Sequence, residues 1–302
     1  MSSTPAWTEV RVLVPTGWHE LVADALAVTP CTTVSVGNPS IGQALPPDGH
    51  EFVRTFIAEE DDTPELREEI RSTLSTLAIR SGDEDLEGLQ LDFKRLPPED
   101  YATSWKKSWK PFRVGRLAVI PPWDDREVRS SDTVLRLEPG GSFGSGRHAT
   151  TRDCLKTLMS RMQGGEQVLD AGSGSGILSV TAALLGAADT FGFDVDENAP
   201  RAGRRLAEQN GVGDRCRFTR GGFDVLEDGV VYDVVLANIY SDVIQQYAGA
   251  LRERLAPSGW FAFSGCPVHH RDATVAAILD AGLLIESERS RGRWHTFAGR
   301  HG

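Results

Sequence analysis

The chain has 302 residues, 40% of them hydrophobic, enough to bury a sizeable core in one large domain with a smaller one beside it. Its formal net charge is -11, with 17 acidic and 7 basic side chains in residues 1–95 and 26 against 25 in the rest; this argues against nucleic acid as a direct target and suits a basic protein partner, although plain solubility asks for no more. No run of about eighteen apolar residues and no cleavable leader implies a membrane, and Cys31, Cys154, Cys216 and Cys266 form no CxxC pair, which speaks against a zinc knot or disulfide framework and fits a reducing cytoplasm.

In chain order, "WTEVRVLVP" reads as a strand, "GWHELVADALAVT" as a helix, and "TTVSVGN" and "HEFVRTFIAEE" as strands. "DTPELREEIRSTLSTLA" is a helix, begun at Asp62 or Thr63 with Pro64 just inside, and "GLQLDFKRL" is a strand. This β-α-β-β-α-β order over residues 1–96 is the ferredoxin-like pattern, and "NPSIGQALPPDG" is a loop within it. Residues 97–130 form a connector in which Trp105, Trp109 and Trp123 lie among Lys106, Lys107 and Lys110. Nucleic-acid stacking would use such a mixture, but packing of one domain on another is the better reading of tryptophans in a connector.

From about residue 131 to 302 strands alternate with helices, which predicts a parallel sheet. A helix from Thr151 carries Leu155, Leu158, Met159 and Met162 and stops at Gly164 and Gly165. "EQVLDAG" is a buried strand, "SGILSVTAALLGA" a helix, "DTFGFDVD" a strand and "NAPRAGRRLAEQN" a helix with Asn198 as its cap. "RCRFTRG" and "YDVVLANI" are strands joined by a loop. "DVIQQYAGALRERLA" is a helix, "GWFAFSG" a strand and "HRDATVAAILDAG" a helix. The last two strands, "LLIESERS" and "RWHTFAGR", form a hairpin that ends the sheet in an antiparallel strand.

"VLDAGSGSGIL" places Gly172, Gly174 and Gly176 where a strand turns into a helix. Glycine permits a sharp turn and lets a ligand approach the backbone. The third glycine of a dinucleotide fingerprint would fall at Ile177, which weakens a nicotinamide reading. Asp194 ends the next strand, 22 residues beyond Gly172, where a carboxylate accepts ribose hydroxyls, and Asp170 sits at the tip of the first strand. Asp196 and Asn198 are read as helix caps. Together these residues resemble a Rossmann-like methyltransferase that binds S-adenosylmethionine.

Asn238 ends "YDVVLAN" at the same carboxyl edge. A methyl acceptor must present an unprotonated lone pair. For a lysine of pKa near about 10.4 that costs about 4.6 kcal/mol at pH 7. The side-chain carbonyl of Asn238 can hold an amine without carrying charge; a simple turn is the alternative.

"SFGSGRHATTRDCL" allows a structural reading, in which Thr150 caps the helix with Asp153 as its box partner. That reading leaves Phe143, Gly144, Gly146 and His148 unexplained. With "VLDAGSGSGIL", "GFDVDENA", "AEQNGV", "YDVVLANIY", "LAPSGWFAFSG" and the connector's "SWKKSWKPFRVGRLAVIPPW", it resembles the ribosomal protein L11 methyltransferase family. Ser145, Ala149 and Ser173 replace the family's usual threonine, proline and cysteine, and "CPVHH" departs from its usual continuation.

The resemblance implies an α/β fold: a Rossmann-like methyltransferase sheet, mostly parallel with an antiparallel terminal strand, preceded by a small ferredoxin-like α+β domain that recognises the substrate. It implies a cytoplasmic enzyme that moves methyl groups from S-adenosylmethionine to lysine and N-terminal amines of ribosomal protein L11, acting as a monomer without a metal. Carried onto this sequence, Phe143, Gly144, His148, Thr150 and Thr151 line the methionine side of the cofactor and the entrance for the amine. Asp170, Gly172, Gly174 and Gly176 hold the tail, Asp194 the ribose, Phe223 and Asp224 the adenine, and Asn238 the amine, with His148 and Asn238 as the catalytic pair. The rival expectations are a methyltransferase of the same fold acting on another protein lysine or a small amine, a binding module without turnover, and a nicotinamide oxidoreductase.

Overall fold

The computed structural model describes residues 6–26, 34–36, 45–96, 110–138 and 146–302, and the chain divides into two compact units. In the first, β1 (Trp7–Pro15), α1 (His19–Leu26), β2 (Val34–Val36), β3 (His50–Ala58), α2 (Pro64–Ser81) and β4 (Gln90–Leu96) follow one another, with strand order β2-β3-β1-β4 and antiparallel pairing throughout. The period of two in β1 buries Val10, Val12 and Val14, which pair with Thr55, Val53 and Glu51. In α2, Leu66, Ile70, Leu74 and Leu77 make one buried stripe at helical spacing. Of the two caps left open by the sequence it is Thr63 that starts the helix, its Oγ1 accepting from the Leu66 N–H at 3.2 Å. Asp62 instead receives Arg67 at 2.7 and 2.8 Å and the Thr8 hydroxyl at 2.6 Å. This is the ferredoxin-like order. Most of the loop between β2 and β3 lies outside the described residues.

The second unit opens with a three-stranded sheet that the sequence pattern did not reveal: β5 (Phe112–Val114), β6 (Leu117–Ile120) and β7 (Thr133–Arg136). Gly115, at φ 59°, and Arg116 are a two-residue hairpin loop between β5 and β6, and β7 adds in parallel to β6. Trp123 is 36% exposed; Trp105, Trp109, Lys106 and Lys107 lie outside the described residues.

The large sheet contains β8 (Gln167–Ala171), β9 (Asp189–Asp194), β10 (Cys216–Arg220), β11 (Tyr232–Asn238), β12 (Leu255–Pro267), β13 (Leu283–Arg291) and β14 (Trp294–His301), in the order β10-β9-β8-β11-β12-β14-β13. Helices α3 (Ala149–Arg161), α4 (Ile177–Leu184), α5 (Ala199–Gln209), α6 (Ser241–Glu253) and α7 (Arg271–Asp280) alternate with the strands. Strands β8 to β12 are parallel, and their continuous apolar runs are buried, among them Val234 to Ala237 and Phe261 to Phe263. The final strand β14 is antiparallel to both neighbours and inserts between β12 and β13, so the edge of the sheet is β13. Strand order reverses between β8 and β11, which makes the carboxyl ends of these two strands the place where an open α/β sheet leaves a crevice. No described helix is long and apolar enough to cross a membrane.

Candidate active site

All three glycines after β8 have left-handed backbones, at φ 72° for Gly172, 50° for Gly174 and 79° for Gly176. A Cβ on Gly172 would lie 2.1 Å from Ile239 Cγ2, so the loop passes directly under the segment that follows β11. A Cβ on Gly176 would lie 2.8 Å from Gly203 Cα and 2.9 Å from the Phe218 ring. Its requirement for glycine therefore comes from close packing of α4 on α5 and β10. The loop is tied to β9 by the Gly172 and Ser173 N–H groups, which donate to the Phe193 carbonyl at 2.9 and 3.0 Å.

The two carboxylates flanking this loop are held differently. Asp170 is fully buried; its Oδ2 accepts from the Ser179 N–H and hydroxyl at 3.1 and 2.7 Å, while its Oδ1 has no partner among the described residues. Burial pushes this carboxyl up to about 6, the Ser179 hydrogen bonds opposing the shift. A buried acceptor left unpaired is costly, and a ligand's donor would relieve it. Asp194 accepts from the Gly174 N–H at 2.8 Å and the Asp196 N–H at 3.0 Å, which fixes both of its oxygens; burial raises it too.

Downstream, Asp196 Oδ1 accepts from the Asn198 N–H at 2.9 Å. Asn198 stands at the N-cap position of α5, but its side chain is turned to Arg201 at 2.6 Å rather than to a backbone N–H. Val195, between the two aspartates, is 73% exposed, an aliphatic side chain in a polar turn that the sequence reading passed over. Phe223 lies in a short 3-10 turn after β10, stacked on Tyr247 of α6 at 4.1 Å and edge-on to Phe193 at 5.3 Å. Asp224 Oδ1 accepts from the Gly222 N–H at 3.1 Å within that turn.

At the start of α3 the expected cap is corrected. The helix begins at Ala149 with His148 at the N-cap position, so Thr150 is already inside the first turn. Its hydroxyl lies 2.7 Å from His148 Nδ1, and Asp153 pairs with Lys156 at 3.3 Å instead of closing a capping box. The His148 ring is buried and stands edge-on to Trp294 of β14 at 5.1 Å. Thr151, also buried, accepts from Asn238 Nδ2 at 3.1 Å. This commits the amide's NH2 group and leaves its carbonyl oxygen as the acceptor.

Because Ala237 pairs with Ala171, Asn238 and Gly172 emerge side by side at the strand reversal. One edge thus gathers Asp170, Gly172, Gly174 and Asp194 with Asn238, Thr151, Thr150 and His148. Phe143 and Gly144 lie outside the described residues. Under the segment that leads into α3, Arg147 and Arg152 stack on the Phe112 ring at 4.8 and 5.5 Å, and Gly146 has room for no side chain against Ile177 and Phe112. Phe112 gave no signal in the sequence, because its role depends on a helix far along the chain. Among the described residues no group of three His, Cys, Asp or Glu is gathered as for a metal ion.

Residues 6–302 match the family model described as "Ribosomal protein L11 methyltransferase (PrmA)". The chain is 33% identical over 310 residues to the ribosomal protein L11 methyltransferase of Pelotomaculum thermopropionicum, covering 97% of this chain and 98% of that one. It is 33% identical over 304 residues to the protein of the same name from Desulfitobacterium hafniense, covering 95% and 96%. A crystal structure of the ribosomal protein L11 methylase from Lactobacillus delbrueckii subsp. bulgaricus superposes with a TM-score of 0.59 at 25% identity, over 64% of this chain and 100% of that one. A match over nearly the whole length, on the strands that carry the site, has one meaning: the chain belongs to the ribosomal protein L11 methyltransferase family.

Proposed function

We propose that this protein is a cytoplasmic enzyme that methylates lysine amines of ribosomal protein L11, with S-adenosylmethionine as donor. The observation that carries the reading is the Asn238 amide, anchored by Thr151 at 3.1 Å beside a glycine loop and a buried carboxylate with one unpaired oxygen. These residues fit the cofactor: Asp170 Oδ1, without a partner among the described residues, would meet its ammonium, the left-handed backbones of Gly172 and Gly174 would present no side chain to its tail, and Asp194 would receive ribose hydroxyls on oxygens already fixed by N–H donors. Val195 and Phe223 are assigned to the adenine, with Gly176 and Asp224 shaping the loops that present them. When bound, the cofactor supplies an electrophilic methyl group on a sulfonium.

The chain's own residues do the rest. Asn238 Oδ1 accepts a hydrogen bond from the substrate amine and aims its lone pair, without the charge that would hold the amine as ammonium. Thr151 prevents the amide from turning its NH2 face to the amine. Thr150 and Trp294 fix the imidazole of His148, which forms one wall of the entrance and helps to exclude water. On the family pattern, Phe143 and Gly144 would line the methionine side of the cofactor. The acidic stretch of residues 1–96 recognises the basic substrate, and residues 97–130, whose β5 and β6 belong to the second unit, lead into the catalytic residues 131–302 of a monomer.

Incubation of the purified chain with tritiated cofactor and ribosomal protein L11, followed by mass spectrometry, tests this reading. Mass increments of methyl groups on lysines are expected. Label found only on other proteins or in a small-amine fraction would overturn the assigned substrate, and binding of NAD with no binding of S-adenosylmethionine would overturn the chemistry.

A further inference from the structure

The segment after β12, where the sequence reads "CPVHH", carries an organised histidine that the roles above leave unassigned. Strands β11 and β12 run in register, with Asn238 opposite Ser264, so the residues that follow each strand emerge together on the carboxyl edge. Ser241, shortly beyond Asn238, opens α6 and is buried; His270, beyond Ser264, sits at the N-cap position of α7. The two meet, with Ser241 Oγ 2.7 Å from His270 Nδ1. The backbone is held as well, since the Thr274 hydroxyl donates to the His270 carbonyl at 2.9 Å and accepts from Gln245 Nε2 of α6 at 3.0 Å. Ser241 of α6 thus holds the half-buried ring, and Thr274 of α7 holds its backbone.

We propose that His270 is the base that removes the proton from the substrate ammonium, an inference that rests on the lysine-methylation reading above. In the tautomer this assigns, the His270 Nδ1–H donates to Ser241 Oγ at 2.7 Å and the Nε2 lone pair is the acceptor. An N–H bond of the ammonium breaks, its electron pair stays on the substrate nitrogen, and an Nε2–H bond forms. The neutral amine is then held by Asn238, and the imidazolium passes its proton to water after transfer. Each further methyl on the same nitrogen repeats the step, because the product amine is again protonated.

The surroundings suit a ring that is neutral before the substrate arrives. His269 stands edge-on at 4.4 Å, and Asp242 follows Ser241 on α6. The Arg271 guanidinium is committed to Glu288 at 2.7 Å and Asp272 at 2.8 Å, and His295 of β14 also pairs with Glu288, at 2.6 Å. On β12 the buried Cys266 thiol is pushed up by burial and is neutral. Burial and His269 hold His270 below its ordinary value, with Asp242 pulling the other way.

The test measures kcat against pH for the full chain with saturating cofactor and ribosomal protein L11, in wild type, H270Q, H270A and H269Q. Wild type is expected to be level above about pH 6.5, and H270Q to be about 100-fold slower at pH 7 and to rise about tenfold per pH unit toward the lysine range. H269Q should stay level near pH 7 with its acid limb moved slightly upward, and added imidazole should restore H270A but not N238A. Independently of turnover, the His270 ring nitrogens in NMR spectra of the full chain should show the Nδ1–H form, and S241A should shift that balance. An H270Q profile that matches wild type at equal cofactor affinity overturns this inference alone. A wild-type chain that transfers nothing to ribosomal protein L11 overturns the substrate reading and this inference with it.

Discussion

The glycine loop and the amine end of the site occupy neighbouring strand tips but are built by opposite means. From Asp170 to Asp194 the site is mostly backbone: three left-handed glycines, N–H groups donated to Phe193 and Asp194, and one carboxylate, Asp170, with an unmatched oxygen. From His148 to Asn238 it is mostly side chain to side chain, His148 to Thr150 and Asn238 to Thr151. A binding surface made of backbone is intolerant of any added atom, whereas a positioning surface made of side chains can lose function while keeping its shape.

That contrast orders the tests. Gly172→Val places side-chain atoms where Cβ alone would meet Ile239 at 2.1 Å, on a backbone at φ 72°. Strain of about 1–3 kcal/mol and more than about 1000-fold weaker cofactor binding are expected, by thermal unfolding and calorimetry. Asn238→Ala should lower kcat about 100-fold or more with the cofactor affinity nearly unchanged. If affinity falls and turnover per bound cofactor does not, the two ends are not separable.

Asp170 makes the cofactor-free chain pH-dependent. Its folded pKa of about 6 lies above the ordinary carboxylate value of 3.8, so the folded state binds more protons between these limits. The Asp170 contribution to stability should therefore be full below about pH 4 and fall by up to about 3 kcal/mol as the pH rises through 6. Denaturant titrations of wild type and Asp170→Asn across this range should show the slope in the first and not in the second. Asp194→Asn should weaken cofactor binding about 10- to 100-fold, and Val195→Ser only about fivefold, the effect of losing one exposed apolar contact. Equal losses from these two variants would mean that the ribose carboxylate is not distinguished from the adenine side.

Much of this architecture was legible because its signals are local. The strand-glycine-helix turn at residues 169–177 needs only its own sequence, and the alternation of strands and helices predicts the parallel sheet, whereas its reversal between β8 and β11 is seen only in the fold. The strands β5 and β6 were hidden in a stretch rich in tryptophan and lysine, whose composition suggested a linker. Thr150 was misplaced as a cap because Thr and Asp three apart satisfy the capping pattern wherever they occur; which residue enters the helix first depends on the incoming chain. Val195 had a local signal, an aliphatic residue between two aspartates, that went unused.

The sequence by itself determined the order of elements in the first unit and in the large sheet, the glycine-rich turn, the acidic end of the second strand and the family. Only the tertiary structure decided which atoms those residues use. Asn238 and Thr151 are 87 positions apart, His148 meets a tryptophan from the last strand, Phe223 is covered by Tyr247 from a later helix, and Ser241 finds His270 29 positions on. The physical reason is that periodicity and turn chemistry act over a few residues, while the orientation of a side chain is set by whatever the folded chain packs against it.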